Sequence, residues 1–138
     1  AATADELFDV AAETLADRLH KKKEALVEGF RNREETSSTI IQPGLAIPHV
    51  IVDGEGLFDI LPVRCREGIR FADDQPPVQT AFILVGSADE RNYHLRALMA
   101  IAQIVQEKGF LRRWMEAQSL EHLRDVLLLS TRTRDRAK

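Results

Sequence analysis

The sequence holds a single cysteine, Cys65. One thiol forms no internal disulfide, so a stapled secreted scaffold and a multi-cysteine zinc site are both excluded. Long apolar runs are missing as well. Stretches such as Ala97–Ile101 and Val126–Leu129 fall far short of the roughly 18 residues a membrane helix needs, so no direct membrane insertion is expected. The opening residues lack the cationic start of a signal peptide, with Asp5 and Glu6 where cations would stand. A cytoplasmic, reducing setting is therefore expected. The best-marked enzyme motifs are absent too: there is no GxxxxGK(S/T) phosphate loop, GxGxxG, HExxH, CxxC or GxSxG.

Within these limits the composition is that of a packed soluble domain, with 44% hydrophobic and 30% charged residues over 138 positions. The net charge is −3 at pH 7 with histidine neutral. The basic tail at 131–138, TRTRDRAK, carries a local +3 and leaves −6 for the rest. A body of that sign repels phosphate backbones, so no nucleic-acid partner is expected and the tail reads as a solvated terminus. The chain opens on Ala rather than Met. It reads as one domain, residues 1–138, taken from a longer polypeptide.

Three zones follow one another. From Ala4 to about Glu34, apolar residues at Phe8, Ala11, Ala12, Leu15 and Leu19 keep a helical period. Acidic residues lie in the first turn and His20–Lys23 near the end, as the helix dipole prefers. A second, short helix over about Lys22–Phe30 is expected to turn Ala25, Leu26 and Phe30 inward. From about Ser37 to Gly86, Gly and Pro punctuate strands predicted at Leu45–Val52, Leu57–Cys65 and Thr80–Val85. The last of these, TAFILV, reads as a central strand covered on both faces, while Pro62 marks an edge or a bulge. The final zone is helical, with Leu95, Leu98, Met99, Ala102 and Val105 expected inward. Gly109 breaks it before a short helix holding Leu111, Trp114 and Met115. Ser119 then caps a helix over Leu120–Leu129. The expected fold class is α/β, a mixed β-sheet flanked by helices.

Of four histidines, His20 and His122 read as solvent-facing helix residues. His49 follows Pro48 at the end of an apolar run, on a stiff backbone at a strand end, where α/β folds place ligands. It is either a packed imidazole with one nitrogen hydrogen-bonded or a functional one. His94 opens the helix leading to Val105. It is either a first-turn polar residue or a group at a helix N-terminus, where phosphate is attracted. Arg33 precedes Glu34–Glu35 and the hydroxyl cluster Thr36–Thr39. It either pairs with carboxylates or offers a guanidinium that grips a phosphoryl group bidentately. Cys65 reads as structural.

The stretch Arg33–His49, REETSSTIIQPGLAIPH, resembles the IIA domains of the fructose/mannitol type in the bacterial phosphoenolpyruvate-dependent phosphotransferase system. The nitrogen-regulatory IIA proteins are of the same type. The resemblance continues through Gly68–Phe71, Pro77-Val78, Ala81–Val85, His94-Leu95 with Leu98, and Ser119–Leu128. It implies an αβα sandwich and a phosphohistidine carrier that needs no cofactor and no metal. By that likeness His49 matches the phosphorylated histidine, His94 the second active-site histidine and Arg33 the active-site arginine. Ser38 and Thr39 match nearby hydroxyl positions, expected to bond the phosphate or the other nitrogen of His49.

The partners implied are the histidine-containing phosphocarrier protein as donor, and a IIB/IIC permease component or a fused transporter. The sequence departs from the family pattern at Val50 and Gln42, where small residues are preferred, and in starting its first helix without a preceding strand. Val50 is expected to narrow the approach to His49. The run Cys65–Arg70 is one residue short of the CxxxxxR loop of IIB domains. Two functional readings follow: a carrier in sugar uptake, or a regulatory module of the nitrogen type that responds to phosphorylation or carries none.

Overall fold

Thr3 opens the first element. Its backbone is extended and its hydroxyl accepts from the N–H of Glu6, so helix α1 runs Ala4–Leu19 with Asp5 and Glu6 in its first turn. The predicted apolar stripe is the buried one: Phe8, Ala11, Ala12, Leu15 and Leu19 are joined by Leu7. Exposed His20 closes the helix in the left-handed conformation, at φ 55°. The computed structural model describes residues 3–107 and 109–116. Ser119, the expected helix over Leu120–Leu129, His122 and the basic tail lie outside them. The chain forms two compact units, one up to Arg96 and one from Ala97 onward.

In the first unit, helix α2 spans Lys23–Thr36 and so runs past its expected end at Phe30. Ala25 is exposed rather than inward, and Leu26 and Phe30 are the buried pair. The inward stripe continues at helical spacing through half-buried Arg33 and Glu34, which a helix stopping at Phe30 would have left in a loop.

Five strands follow: β1 Ile40–Gln42, β2 Leu45–Ala46, β3 His49–Val52, β4 Phe58–Ile69 and β5 Val78–Ser87. Three-residue β1 is too short to show a period and was not expected. It pairs antiparallel with β2 across Pro43-Gly44, where Gly44 takes φ 85°. β5 is the central strand. β4 lies antiparallel beside it, and β2 and β3 pair with it in parallel, making the sheet mixed. Leu45 stands opposite Thr80 and His49 opposite Leu84, so β2 and β3 keep one register. The strand expected over Leu45–Val52 is thus one line broken at Ile47–Pro48, because proline has no N–H for the ladder. Pro62 sits in β4 opposite Phe82, and among the described residues β4 pairs with β5 alone, which is the edge position its sequence suggested. The irregularity lies further on, between Arg64 and Ile69. β4 passes its expected end, so Cys65 lies within it, half-buried against the core.

The core of this unit packs Phe8, Leu15, Leu26 and Phe30 of the helices on Ala46, Ala81, Ile83 and Val85 of the sheet. Phe8 and Phe30 stack with ring centroids 5.5 Å apart, and Phe71 meets Phe8 edge-on at 6.1 Å. The alternate residues Thr80, Phe82 and Leu84 are buried too, as expected of a strand covered on both faces.

After a 3-10 turn at Ala88–Glu90, helix α3 runs Arg91–Ile104. His94 therefore lies in its first turn rather than opening it. The buried face holds His94, Ile101 and Ile104, whereas Leu95 and Met99 are 47% and 65% exposed. These two were expected inward; apolar residues ring this helix almost completely, so periodicity alone did not select a face. In the second unit, Gly109 (φ 83°) precedes α4, Phe110–Glu116, which buries Phe110 and Trp114.

Candidate functional site

His49 begins β3, directly after the break in the ladder. Pro48 restricts Ile47 to extended backbone. The Ile47 carbonyl then lies 2.8 Å from Nδ1 of His49. A carbonyl only accepts, so Nδ1 carries the proton and Nε2 of the neutral ring keeps its lone pair. Arg33 donates from Nε to that Nε2 at 3.2 Å. Its Nη1 donates to the Ser37 carbonyl at 2.9 Å and to the Ser37 hydroxyl at 3.0 Å. Among the described residues no carboxylate pairs with Arg33. The guanidinium is thus a free charge held beside an imidazole, not half of an ion pair.

His94 supplies the second ring. It is 4% exposed, and its centroid lies 5.4 Å from that of His49, with the planes 65° apart. Phe58 flanks it edge-on at 6.3 Å. Among the described residues neither ring nitrogen of His94 has a hydrogen-bond partner. Burial, and secondarily positive charge on His49, hold its pKa below the ordinary 6.5, so the ring is neutral at pH 7. A buried polar group without a partner costs about 1–3 kcal/mol. An acceptor brought against this ring would recover part of that.

Gly86 keeps the space open. A Cβ there would sit 3.2 Å from Cδ1 of Phe58, 3.3 Å from the Leu57 carbonyl and 3.7 Å from Nδ1 of His94. Just beyond it, Ser87 donates to Asp89 at 2.5 Å and accepts the Leu57 N–H at 3.0 Å, while Asp89 accepts the Gly56 N–H at 2.9 Å. The Ser87 hydroxyl, then the Gly56 N–H, hold the Asp89 carboxyl below its ordinary 3.8. This clasp ties the loop before Phe58 to the turn that starts α3, and so seats His94.

Arg33, His49 and His94 are therefore brought together. The hydroxyls of Ser38 and Thr39 are engaged elsewhere. Ser38 accepts the Ile40 N–H at 3.1 Å, and Thr39 donates to Glu34 at 2.5 Å. The second nitrogen of His49, expected to meet one of them, is held by the Ile47 carbonyl instead. Val50 does not narrow the approach to His49. Side chains alternate along β3, and Val50 packs on the core, where its Cγ2 would lie 2.7 Å from a Cβ at Gly29. Gln42 closes β1 opposite Leu45.

Sequence reasoning missed Ser37, Gly86 and the Ile47 carbonyl. The last could have been suspected from Ile-Pro-His, since proline also restricts the backbone of the residue before it. One guanidinium and two imidazoles with no acid among them make a site for an anion. Among the described residues no group of three His, Cys, Asp or Glu side chains is placed to hold a metal.

The sequence profile of the family described as "Phosphoenolpyruvate-dependent sugar phosphotransferase system, EIIA 2" matches residues 1–129. The chain belongs to this family. This EIIA is 31% identical over 132 residues to the nitrogen regulatory protein of Escherichia coli (strain K12), covering 94% of this chain and 81% of that protein. The crystal structure of nitrogen regulatory protein IIA-Ntr from Neisseria meningitidis is similar at a TM-score of 0.84 and 28% identity, covering 92% of this chain and 88% of that one. IIA mannitol of Escherichia coli, in its complex with phosphorylated IIB mannitol, shares the fold at a TM-score of 0.76 and 18% identity, covering 93% of this chain and 89% of that one. The mixed α/β fold expected from the resemblance is thus the EIIA fold, and the chain is an EIIA-type phosphotransferase component. EIIA domains pair with IIB components, as the mannitol pair does. Among the described residues no helix is long and apolar enough to cross a membrane.

Proposed function

We propose that this EIIA carries a phosphoryl group on Nε2 of His49. It takes the group in the cytoplasm from the phosphohistidine of the histidine-containing phosphocarrier protein, and the chain acts as one domain over 1–138. The observation that carries this reading is the pair of bonds on His49, with Nδ1–H on the Ile47 carbonyl and the Nε2 lone pair against Arg33. The lone pair attacks phosphorus, forming the new N–P bond at Nε2. The donor's N–P bond breaks, and its electron pair returns to the donor imidazole. The His49 ring, with a phosphoryl at Nε2 and a proton at Nδ1, becomes cationic, and the Ile47 carbonyl stabilises that charge.

Arg33 must release Nε2 to admit phosphorus. Its Nε–H then meets an equatorial oxygen while Nη1 stays on Ser37. Phosphoryl transfer asks for little beyond such positioning and charge stabilisation. His94, neutral and without a partner, donates its N–H to a second oxygen. Ser38 and Thr39 support the loop rather than the phosphoryl group. No cofactor or metal enters the scheme.

The acceptor is a IIB partner in sugar uptake. The higher TM-score toward a nitrogen regulatory protein favours a second reading, in which phosphorylated His49 is a signal rather than a step in uptake. Incubation with phosphoenolpyruvate, enzyme I and the phosphocarrier protein tests the carrier chemistry. Acid-labile phosphate is expected on the wild type and none on His49→Ala; label on both refutes it. Subsequent passage of label to a IIB domain and a sugar separates uptake from signalling.

A further inference from the structure

Glu34 follows Arg33 on the last turn of α2 and takes no part in the transfer just described. Its half-buried carboxylate clasps Thr39 twice, accepting the backbone N–H at 3.0 Å and the hydroxyl at 2.5 Å. Thr39, only 4% exposed, accepts the Ile47 N–H on its carbonyl at 2.9 Å. The Ile47 carbonyl in turn accepts Nδ1–H of His49 at 2.8 Å. We propose that Glu34 is a positioning residue, setting the tautomer and aim of His49 through Thr39 and Ile47. The proposal rests on the reading of His49 as the phosphoryl acceptor.

Ile47 and Pro48 lie in the gap of the parallel ladder, where no strand pairing fixes them. Pro48 is held on one side, its carbonyl accepting the Leu84 N–H at 2.9 Å. On the other side the Ile47 N–H depends on Thr39. Thr39 precedes β1, whose short pairing with β2 is irregular, so the ladder does not place it either. The two bonds from Glu34 do. Consecutive residues on one helical turn thus govern the two nitrogens of one ring: Arg33 faces Nε2 directly, and Glu34 secures Nδ1 through two backbone carbonyls. Without the clasp the Ile47 carbonyl drifts, Nδ1–H loses its acceptor and the ring is free to exchange tautomers. With the proton on Nε2, that nitrogen has no lone pair for phosphorus. Misplacement on the scale of 1 Å costs on the order of a hundredfold in rate, so Glu34→Ala should slow phosphorylation about ten- to a hundredfold.

The decisive reading is spectroscopic and needs no phosphoryl donor. Long-range proton–nitrogen correlation spectra of the unphosphorylated, labelled protein are expected to show His49 as a single Nδ1–H tautomer. Glu34→Ala should give a mixture. Glu34→Gln should restore the single form, because its amide can accept from the Thr39 N–H and donate to the hydroxyl. Thr39→Val, which keeps the backbone bond alone, should show a minor second tautomer and serves if Glu34→Ala does not fold. After phosphorylation the wild type and Glu34→Gln should carry one phosphohistidine isomer, and Glu34→Ala two. A folded Glu34→Ala with an unchanged His49 tautomer overturns the proposal, as does an unchanged tautomer in Thr39→Val where that variant stands in. A tautomer shift in a protein that is never phosphorylated would instead refute the carrier reading and leave the positioning role standing.

Discussion

Arg33 shows how much one side chain can be asked to do. Among the described residues no carboxylate pairs with its charge, its Nε faces the candidate nucleophile, and its anchor is a serine. Removing a donor aimed at developing charge costs about a hundred- to a thousandfold in rate. Arg33→Ala should slow phosphate incorporation by at least the lower figure, with little change in melting temperature because no ion pair is lost. Equal rates would remove Arg33 from the site. His20 lies at the opposite extreme. It is an exposed helix cap at φ 55°, a conformation that costs a side chain roughly 1 kcal/mol. His20→Gly should therefore stabilise the protein by up to about 1 kcal/mol in denaturant unfolding and leave phosphorylation unchanged. At this scale the residue types were readable in advance: an Arg before a hydroxyl cluster and a His behind a proline. The contacts were not, because hydroxyl oxygens and backbone carbonyls compete for the same donors. Only the path of the chain decided that Ile47, rather than Ser38 or Thr39, would hold the His49 ring.

Packing of α2 against β3 turns on one close approach. Gly29 faces Val50, and a methyl there would meet Cγ2 at 2.7 Å. Overpacking of this kind costs about 1–3 kcal/mol, more than the roughly 1 kcal/mol a helix gains when alanine replaces glycine. Gly29→Ala should destabilise the wild type but stabilise a Val50→Ala background, a reversal that a double-mutant cycle in urea would display. Additive effects would show that the two residues do not meet. Val50 departs from the family's small residue, and glycine on the facing helix accommodates it. Strands and helices were legible where period and length agreed, as in α1 and β5. α3 was legible as a helix but not in its facing, because apolar residues surround it and the winning face includes a histidine. β1 was too short to leave a pattern.

The burial of His94 has consequences for the whole molecule. Its folded pKa lies below 6.5, so the unfolded chain takes up a proton first as pH falls. The stability associated with the neutral ring is present above pH 6.5 and is lost as pH falls from there through the folded pKa. The neighbouring His49, when protonated, adds repulsion in the same direction. Melting temperature should drop between about pH 7.5 and about pH 5.5, and His94→Asn should flatten that drop. An identical pH dependence in both proteins would show that the ring is not held neutral by the fold.

Composition and the Gly/Pro-punctuated middle zone determined by themselves that this is an α/β domain with an imidazole on a stiff strand end, and the resemblance carried by Arg33–His49 and His94-Leu95 pointed to the EIIA kind. These features are local, set by residue type, period and backbone restriction. Only the tertiary structure decided that α2 runs on to carry Arg33 and Glu34 inward, that Val50 turns into the core, and that two rings lie 5.4 Å apart with a guanidinium bonded to one of them. Those outcomes depend on which faces meet once the sheet closes under the helices, and hydrogen-bond partners far apart in the chain are chosen at that step.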